Sequence, residues 1–317
     1  MTKVKKMAIA NFNITFGENE EPLLNYFDTI LLPALKSNLV RSIGGTDYLF
    51  FNVDVIEIED EEYAIKGIII KKTNLEVFSK FDDNSSTLFE TNELHPTAPY
   101  STFVIYLKNH RMVLVKNQKG SPDLRSFAAT ITYVLDRYIR DENIKRKEQK
   151  EPLLPYSIVN VVGIPLRENI NEAIKNVSKI NKLILKFYPL NGDIDFSGMF
   201  NTLTTDLRKA VGSKTGSTTL NSPKSVSGIT EILEQAQGTV EPVFKVTYPD
   251  KKKGTITNGQ LSENMEINLL DNNINEDTKE IIERTKGIDS IKYISQGNEE
   301  IYNKNKYKIV PFVRKEK

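Results

Sequence analysis

YSTFVIYLKNHRMVLVKNQKGSPDLRSFAATITYVLDRY, residues 100–138, decides the fold. Tyr100–Leu107 and Arg111–Lys116 are β-rich runs separated by Lys108-Asn109-His110, a spacing that predicts a hairpin. Both arms are apolar at nearly every position, as expected of strands covered on both faces. The continuation is punctuated as a helix. Ser121 is placed to cap it, Pro122 suits its first turn and Asp123 complements its dipole, while Leu124, Phe127, Ile131, Leu135 and Tyr138 recur at helical spacing. A hairpin running into an amphipathic helix belongs to the α+β class, with mixed or antiparallel sheets.

Upstream, Met7–Phe16 reads as a strand, and Pro22 opens a helical pattern through Leu23, Phe27, Ile30, Leu31 and Leu35 that Pro33 should kink or end. After Gly44-Gly45, Tyr48–Ile58 and Tyr63–Lys72 predict another hairpin around an acidic turn. Downstream, Arg140–Glu151 carries five bases and four acids and ends at Pro152 and Pro155, so it is a linker or a solvated helix extension. The expected organisation is therefore two sheet-plus-helix halves, 1–150 and 151–317. In the second half, Ile158–Ile164, Leu183–Tyr188, Val243–Tyr248 and Met265–Leu270 read as strands. Helices are expected near Ile170–Ile180, Phe200–Val211, Ile229–Ala236 and Asp277–Thr285. Residues 212–223 are Gly, Ser and Thr-rich and predict a flexible loop.

The composition excludes more chemistry than it indicates. There is no cysteine or tryptophan, and the only histidines are His95 and His110. Thiol nucleophiles, Cys-based zinc sites and iron–sulfur clusters are ruled out, and no cofactor is implied. Lys+Arg 43 against Asp+Glu 42 leaves a near-neutral chain, so a nucleic-acid partner must be argued from local patches. The absence of cysteine makes a cytoplasmic home the default. The N-terminal apolar stretch is interrupted by Asn11, Asn13 and Thr15 and reads as a strand rather than a signal peptide, and no run is long enough to span a membrane.

Two local excesses of positive charge stand out. Lys108, Arg111, Lys116, Lys119 and Arg125 face a single acid, Asp123, and Lys119-Gly120-Ser121 lies where a strand gives way to a helix N-terminus able to receive a phosphate. Arg208, Lys209, Lys214 and Lys224 surround the 212–223 loop, which suits contact with a nucleic-acid backbone. Its GSKTGS string lacks the glycine spacing of a nucleotide-triphosphate loop. Asp193 and Asp195, with Asp206 as a third carboxylate, could share a divalent cation, although Asn191-Gly192-Asp193 is equally turn chemistry. The six acids of Asp54–Glu62 read as a solvated hairpin tip, and the tail after residue 304 is basic.

The segments MAIANFNITF, PLLNYFDTILL, the 100–135 stretch and INEAIKNVSKINKLILKFYPLNGDID together resemble uncharacterised bacterial proteins encoded near phage-defence and restriction genes. The resemblance covers about the first two-thirds of the chain and contains no catalytic signature, so it assigns no residue a role. It implies an accessory or sensor protein working beside an effector. The expected function is non-enzymatic binding of DNA or RNA through backbone contacts, together with a partner protein or a further copy of the chain. The alternatives are an interaction scaffold, a nuclease using His110 or the Asp193/Asp195 pair, and a small-molecule pocket between the halves.

Overall fold

The computed structural model describes residues 2–191, 206–263, 265–270 and 274–314. In chain order the larger elements are β1 (Thr2–Phe16), β2 (Glu21–Pro22), α1 (Leu32–Lys36), β3 (Arg41–Ile43), β4 (Thr46–Glu59), β5 (Glu62–Asp82), β6 (Thr87–Thr97), β7 (Tyr100–Tyr106), β8 (Arg111–Lys116) and α2 (Leu124–Gln149). There follow β9 (Ser157–Gly163), α3 (Arg167–Lys175), β10 (Lys179–Phe187), β11 (Gly216–Asn221), α4 (Val226–Ala236), β12 (Val240–Thr247), β13 (Lys253–Thr257) and α5 (Asn258–Ser262). The chain closes with β14 (Met265–Leu270), α6 (Ile274–Thr285), α7 (Asp289–Lys292) and α8 (Gln296–Asn305). This is an α+β fold whose strand ladders are all antiparallel.

The first sheet has the order β14-β1-β8-β7-β5-β4-β3, with β2 and β9 also on β1 and β6 also on β5. β7 and β8 are buried on both faces, which is why their sequence is apolar at successive rather than alternate positions. On one face α2 packs through Phe127, whose ring meets Phe12, Phe50 and Phe103 edge-on at centroid distances of 6.2, 5.3 and 5.2 Å. On the other face Met7, Ile9, Val104, Val113 and Val115, with Ile267 and Leu269 of β14 beside them in the sheet, pack against Ile281 and Ile291. Gly67 lies under Phe103, where a Cβ would fall 2.7 Å from the ring.

Four expectations change at this level. The helix expected near Ile170–Ile180 is α3, which ends at Lys175, and Ile180 lies on β10. The helix expected from Pro22 is divided into a 3₁₀ turn (Leu23–Tyr26), a π-helical turn (Phe27–Leu31) and α1. Pro33 cannot donate to the preceding turn, so the turn loosens and the α-helix restarts with the proline in its first turn. α2 is capped by Asp123, whose carboxylate accepts from Ser126 N at 2.8 Å, and Ser121 Oγ is instead used by Gln118 N at 3.1 Å. The 212–223 loop contains β11, which pairs with β10 from Lys182↔Asn221 to Phe187↔Gly216. Small polar side chains suffice there, because the open edge of β10 supplies the hydrogen-bonding partner. The charged stretch after Arg140 is a helical extension of α2 that ends at Lys150 in a left-handed cap.

The second sheet, β11-β10-β12-β13, is built from two helix–strand–strand units, α3-β10-β11 and α4-β12-β13, joined by their inner strands. One face buries Leu183, Leu185, Phe187, Phe244 and Val246 against Ile170, Ile174, Ile229 and Leu233. β9 and β14, from the same half of the sequence, join β1 in the first sheet. Among the described residues no helix is long and apolar enough to cross a membrane.

The acidic hairpin tip is held by the C-terminal segment. Tyr302, 2% exposed, donates its hydroxyl to Glu61 O at 2.8 Å and accepts from Tyr63 N at 3.1 Å. Lys306 pairs with Glu61 at 2.6 Å, Arg314 with Asp54 at 2.7 Å, and Val313 bridges Val55. Burial pushes the Tyr302 phenol far above its ordinary value, so it stays protonated and serves as donor and acceptor together. Tyr302→Phe leaves the Tyr63 amide without its partner. It should lower the unfolding free energy by about 1–3 kcal/mol in urea titration, and an unchanged midpoint would show that the clamp contributes nothing.

Candidate nucleic-acid interface

The cations singled out in the sequence do not form one surface. Lys108 lies in the β7–β8 turn and Lys116 at the far end of β8, so the whole strand, roughly 17 Å, separates them. Lys108 is ion-paired with Glu62 at 2.6 Å. Arg111 is 1% exposed and donates through Nη1 to Gln237 O at 2.9 Å, so it ties the first sheet to the turn before β12. Arg208 is 4% exposed and is held by Glu20 through both terminal nitrogens, one at 2.7 Å, and by Ser213 O at 2.8 Å. These two arginines are internal fasteners. Lys209 also approaches Glu20, at 3.7 Å, and Lys214 stacks over the Tyr156 ring at 3.8 Å. Lys119, Arg125 and Lys224 are exposed.

Lys116 and Arg125 line an open cleft of about 1150 Å³ beside β9, α3 and the small sheet. Its charged lining also holds Lys6 and Lys186, balanced by Asp123, Glu172, Glu241 and Glu263. Lys116 is paired with Glu263 at 2.6 Å and Lys186 with Glu241 at 3.3 Å. A neutral, internally paired cleft has little to offer a polyanion. The α2 N-terminus at its edge already holds the Asp123 carboxylate, which occupies the position a phosphate would take.

Asp123 is held below the ordinary carboxylate range. Burial acts to raise it, and hydrogen bonds from the Ser126 hydroxyl and amide, helped by Lys116, more than offset that effect. A depressed value in the folded state means the cap stabilises above the ordinary carboxylate range and is lost as pH falls through the folded value. Asp123→Ala should therefore cost about 1 kcal/mol at neutral pH. The gap between variant and wild type should close on acid titration, and a gap that persists in acid would contradict the assignment.

The small sheet presents a second surface, which meets the cleft at Lys186, Glu241 and Thr257 and extends away from it. Its helices cover one face, and strand pairing fixes what the other face carries. β10 contributes Lys179, Lys182, Ile184 and Lys186, β12 contributes Glu241, Val243, Lys245 and Thr247, and β13 contributes Lys253, Thr255 and Thr257. β11 adds Ser217, Thr219 and Asn221. A register shift between Ile180 and Lys182 puts both Lys179 and Lys182 on this face while Ile180 and Leu183 remain buried. Five lysines thus share the face with one carboxylate, Glu241, already used by Lys186. Lys179, Lys182, Lys245 and Lys253 are exposed. Lys182 and Lys245 are direct cross-strand partners, an arrangement that costs folding free energy. Lys245 donates to Thr255 Oγ1 at 3.0 Å. Of the cations expected from the sequence, Lys214 and Lys224 flank β11, two residues before Gly216 and three past Asn221, which pairs with Lys182.

The sequence carried a signal for this face. Lysines at 179, 182 and 186 alternate with apolar residues that are buried, apart from one extra residue, which is the signature of a bulged strand. What it lacked was the pairing that sets Lys245 opposite Lys182.

The catalytic candidates are dispersed. His110 is fully buried in the β7–β8 turn with φ +54°, while His95 is exposed on β6 beside Glu93 at 3.2 Å. Their nearest positions on β5, Ala64 and Leu75, are about 35 Å apart along the strand. Asp193 and Asp195 lie outside the described residues. Among the described residues no group of three or more acidic or histidine side chains is placed to hold a metal ion. No family model matches the chain, and no curated protein is similar to it.

Proposed function

We propose that this protein binds nucleic acid through the sugar-phosphate backbone, without catalysing a reaction on it, using the open face of the β10–β13 sheet. The observation that carries this reading is the direct opposition of Lys182 and Lys245 within a lysine-rich, hydroxyl-lined face. Like charges held side by side are unfavourable until an anion lies between them. Thr219, Thr255, Ser217 and Asn221 supply donors of the kind that contact phosphate oxygens, and none of these groups reads base edges in a defined pattern. Lys224 extends the face at one end, and exposed Arg125 forms a separate, weaker contact area at the rim of the neutral cleft, with exposed Lys119 just before α2. We place the protein in the cytoplasm, as an accessory or sensor beside an effector, which rests on the resemblance to proteins of phage-defence neighbourhoods.

A second reading, a protein-interaction scaffold, is favoured by one observation. The β5–β6 ribbon exposes Phe78, Phe81, Leu88 and Leu94 at 58–67% of their surface.

Lys245→Glu separates binding from folding. It replaces a like-charge pair by an opposite-charge pair, so unfolding free energy should rise by about 0.2–1 kcal/mol. Removal of two phosphate contacts should flatten the dependence of log binding constant on log salt by about 1.4–1.8. Fluorescence anisotropy with labelled single- and double-stranded DNA and RNA across a salt series, alongside urea titration, reads both quantities. Wild-type protein that binds no nucleic acid at low salt, or a Lys245→Glu variant that binds as wild type does, would overturn the proposal.

A further inference from the structure

We infer that the β5–β6 ribbon is the contact arm of a homodimer, each arm lying across the root of the arm on a second copy of this chain. Pairing of β5 with β4 ends at Asp47↔Lys72 and with β7 at Ile70↔Tyr100. From Thr73 to Asp82 the strand pairs with β6 alone among the described residues, forming a two-stranded ribbon about 30 Å long. Leu75, Phe78, Phe81, Leu88, Phe89 and Leu94 are each between 46% and 67% exposed along it. Two strands with no covered face are marginal in water, and apolar exposure on this scale marks a surface that is covered in the working state.

Charge identifies the occupant. Residues 73–97 carry Glu76, Asp82, Asp83, Glu90 and Glu93 against Lys80 alone. An acidic, apolar arm is repelled by nucleic acid and by anionic lipid and seeks an apolar surface bearing cations. This chain offers one where the arm leaves the sheet. β3 is a three-residue edge strand; on the α2 side of the sheet its Ile43 is 59% exposed, and Val40 just before it is 38% exposed. Arg41, stacked on Tyr48 at 4.5 Å, and Lys71, paired with Tyr48 from the other side on β5, share that face at the start of the arm. Arm and root are complementary patches on one molecule, so a two-fold axis satisfies both at once and closes the assembly. Two reciprocal contacts also double the buried area toward the roughly 800 Å² per partner of a stable interface. The inference is independent of nucleic-acid binding, since the arm and the lysine face lie on different sheets.

Sedimentation equilibrium of the full chain tests it. Wild type should show a reversible monomer–dimer equilibrium. Glu76→Lys with Glu90→Lys should weaken the dimer about tenfold or more, and Arg41→Glu with Lys71→Glu should do the same. The four changes together should restore the dimer to within a few-fold of wild type. Phe78→Ser with Phe81→Ser should give monomer, and because these residues are exposed, thermal melting should not move. If that double variant melts early, the charge-exchange set alone decides. The inference is overturned by a wild type that stays monomeric, by a dimer insensitive to either charge pair, or by two weakened dimers that the combination does not restore. Binding of the wild-type arm to phosphatidylserine-containing vesicles would overturn it as well, because the occupant would then be lipid.

Discussion

The backbone of β1 is the constraint on which the rest of the structure depends. One edge of this strand is taken by β8, and the other is shared by β14 near its start and β9 toward its end. β8 comes from the first half of the sequence, and β9 and β14 come from the second. Polar residues that seem to interrupt the strand do part of the joining. Asn11, Asn13 and Thr15 are all 1% exposed or less. Asn13 donates to Pro189 O, just after β10, and Asn191 accepts from Leu23 N at 2.9 Å, just after β2. Gly238, at φ +77°, sits so close to Val162 O and Asn11 that a Cβ would fall 3.0–3.1 Å from each. The turn before β12 is thus pressed against β1 and β9, and the buried Arg111 guanidinium binds its neighbour Gln237.

This arrangement divides the charged residues into two kinds. Arg111 and Arg208 are spent on internal fastening, and Lys108 and Lys116 are neutralised by Glu62 and Glu263. In such pairs the charge is already answered, so little remains to attract a polyanion. The β10–β13 face differs because its lysines outnumber the carboxylates within reach, and two of them stand opposite each other. A like-charge pair that opposes folding marks a place where the sequence serves something other than stability.

The fold was legible where local pattern and tertiary environment agree. The unbroken apolar arms of residues 100–116 indicated coverage on both faces, and the helical stripe from Leu124 to Tyr138 indicated α2, because each needs only nearest neighbours to be interpreted. Elements that borrow their stability were less legible. β11 is a Ser/Thr strand held by the edge of β10, β13 and α8 depend on distant partners, and the outer half of β5 carries charges that disguise it as loop. The proposed binding face was legible in part, through the lysine spacing of β10. Local charge excess was the weaker guide. It counted Arg111 and Arg208 as surface cations, and only tertiary structure places Gln237 and Glu20 against them. It also took the α2 N-terminus as open, when Asp123 is folded back onto it.

The central claim is that nucleic acid lies on the lysine face of the small sheet. Acetylation footprinting of the wild-type protein, with and without a labelled oligonucleotide at low salt, reads this directly by mass spectrometry. The account predicts protection of Lys179, Lys182, Lys245 and Lys253, with Lys71, Lys72 and Lys108 modified equally in both states. Protection confined to Lys6 and Lys116 in the neutral cleft, with the sheet lysines unprotected, would contradict it.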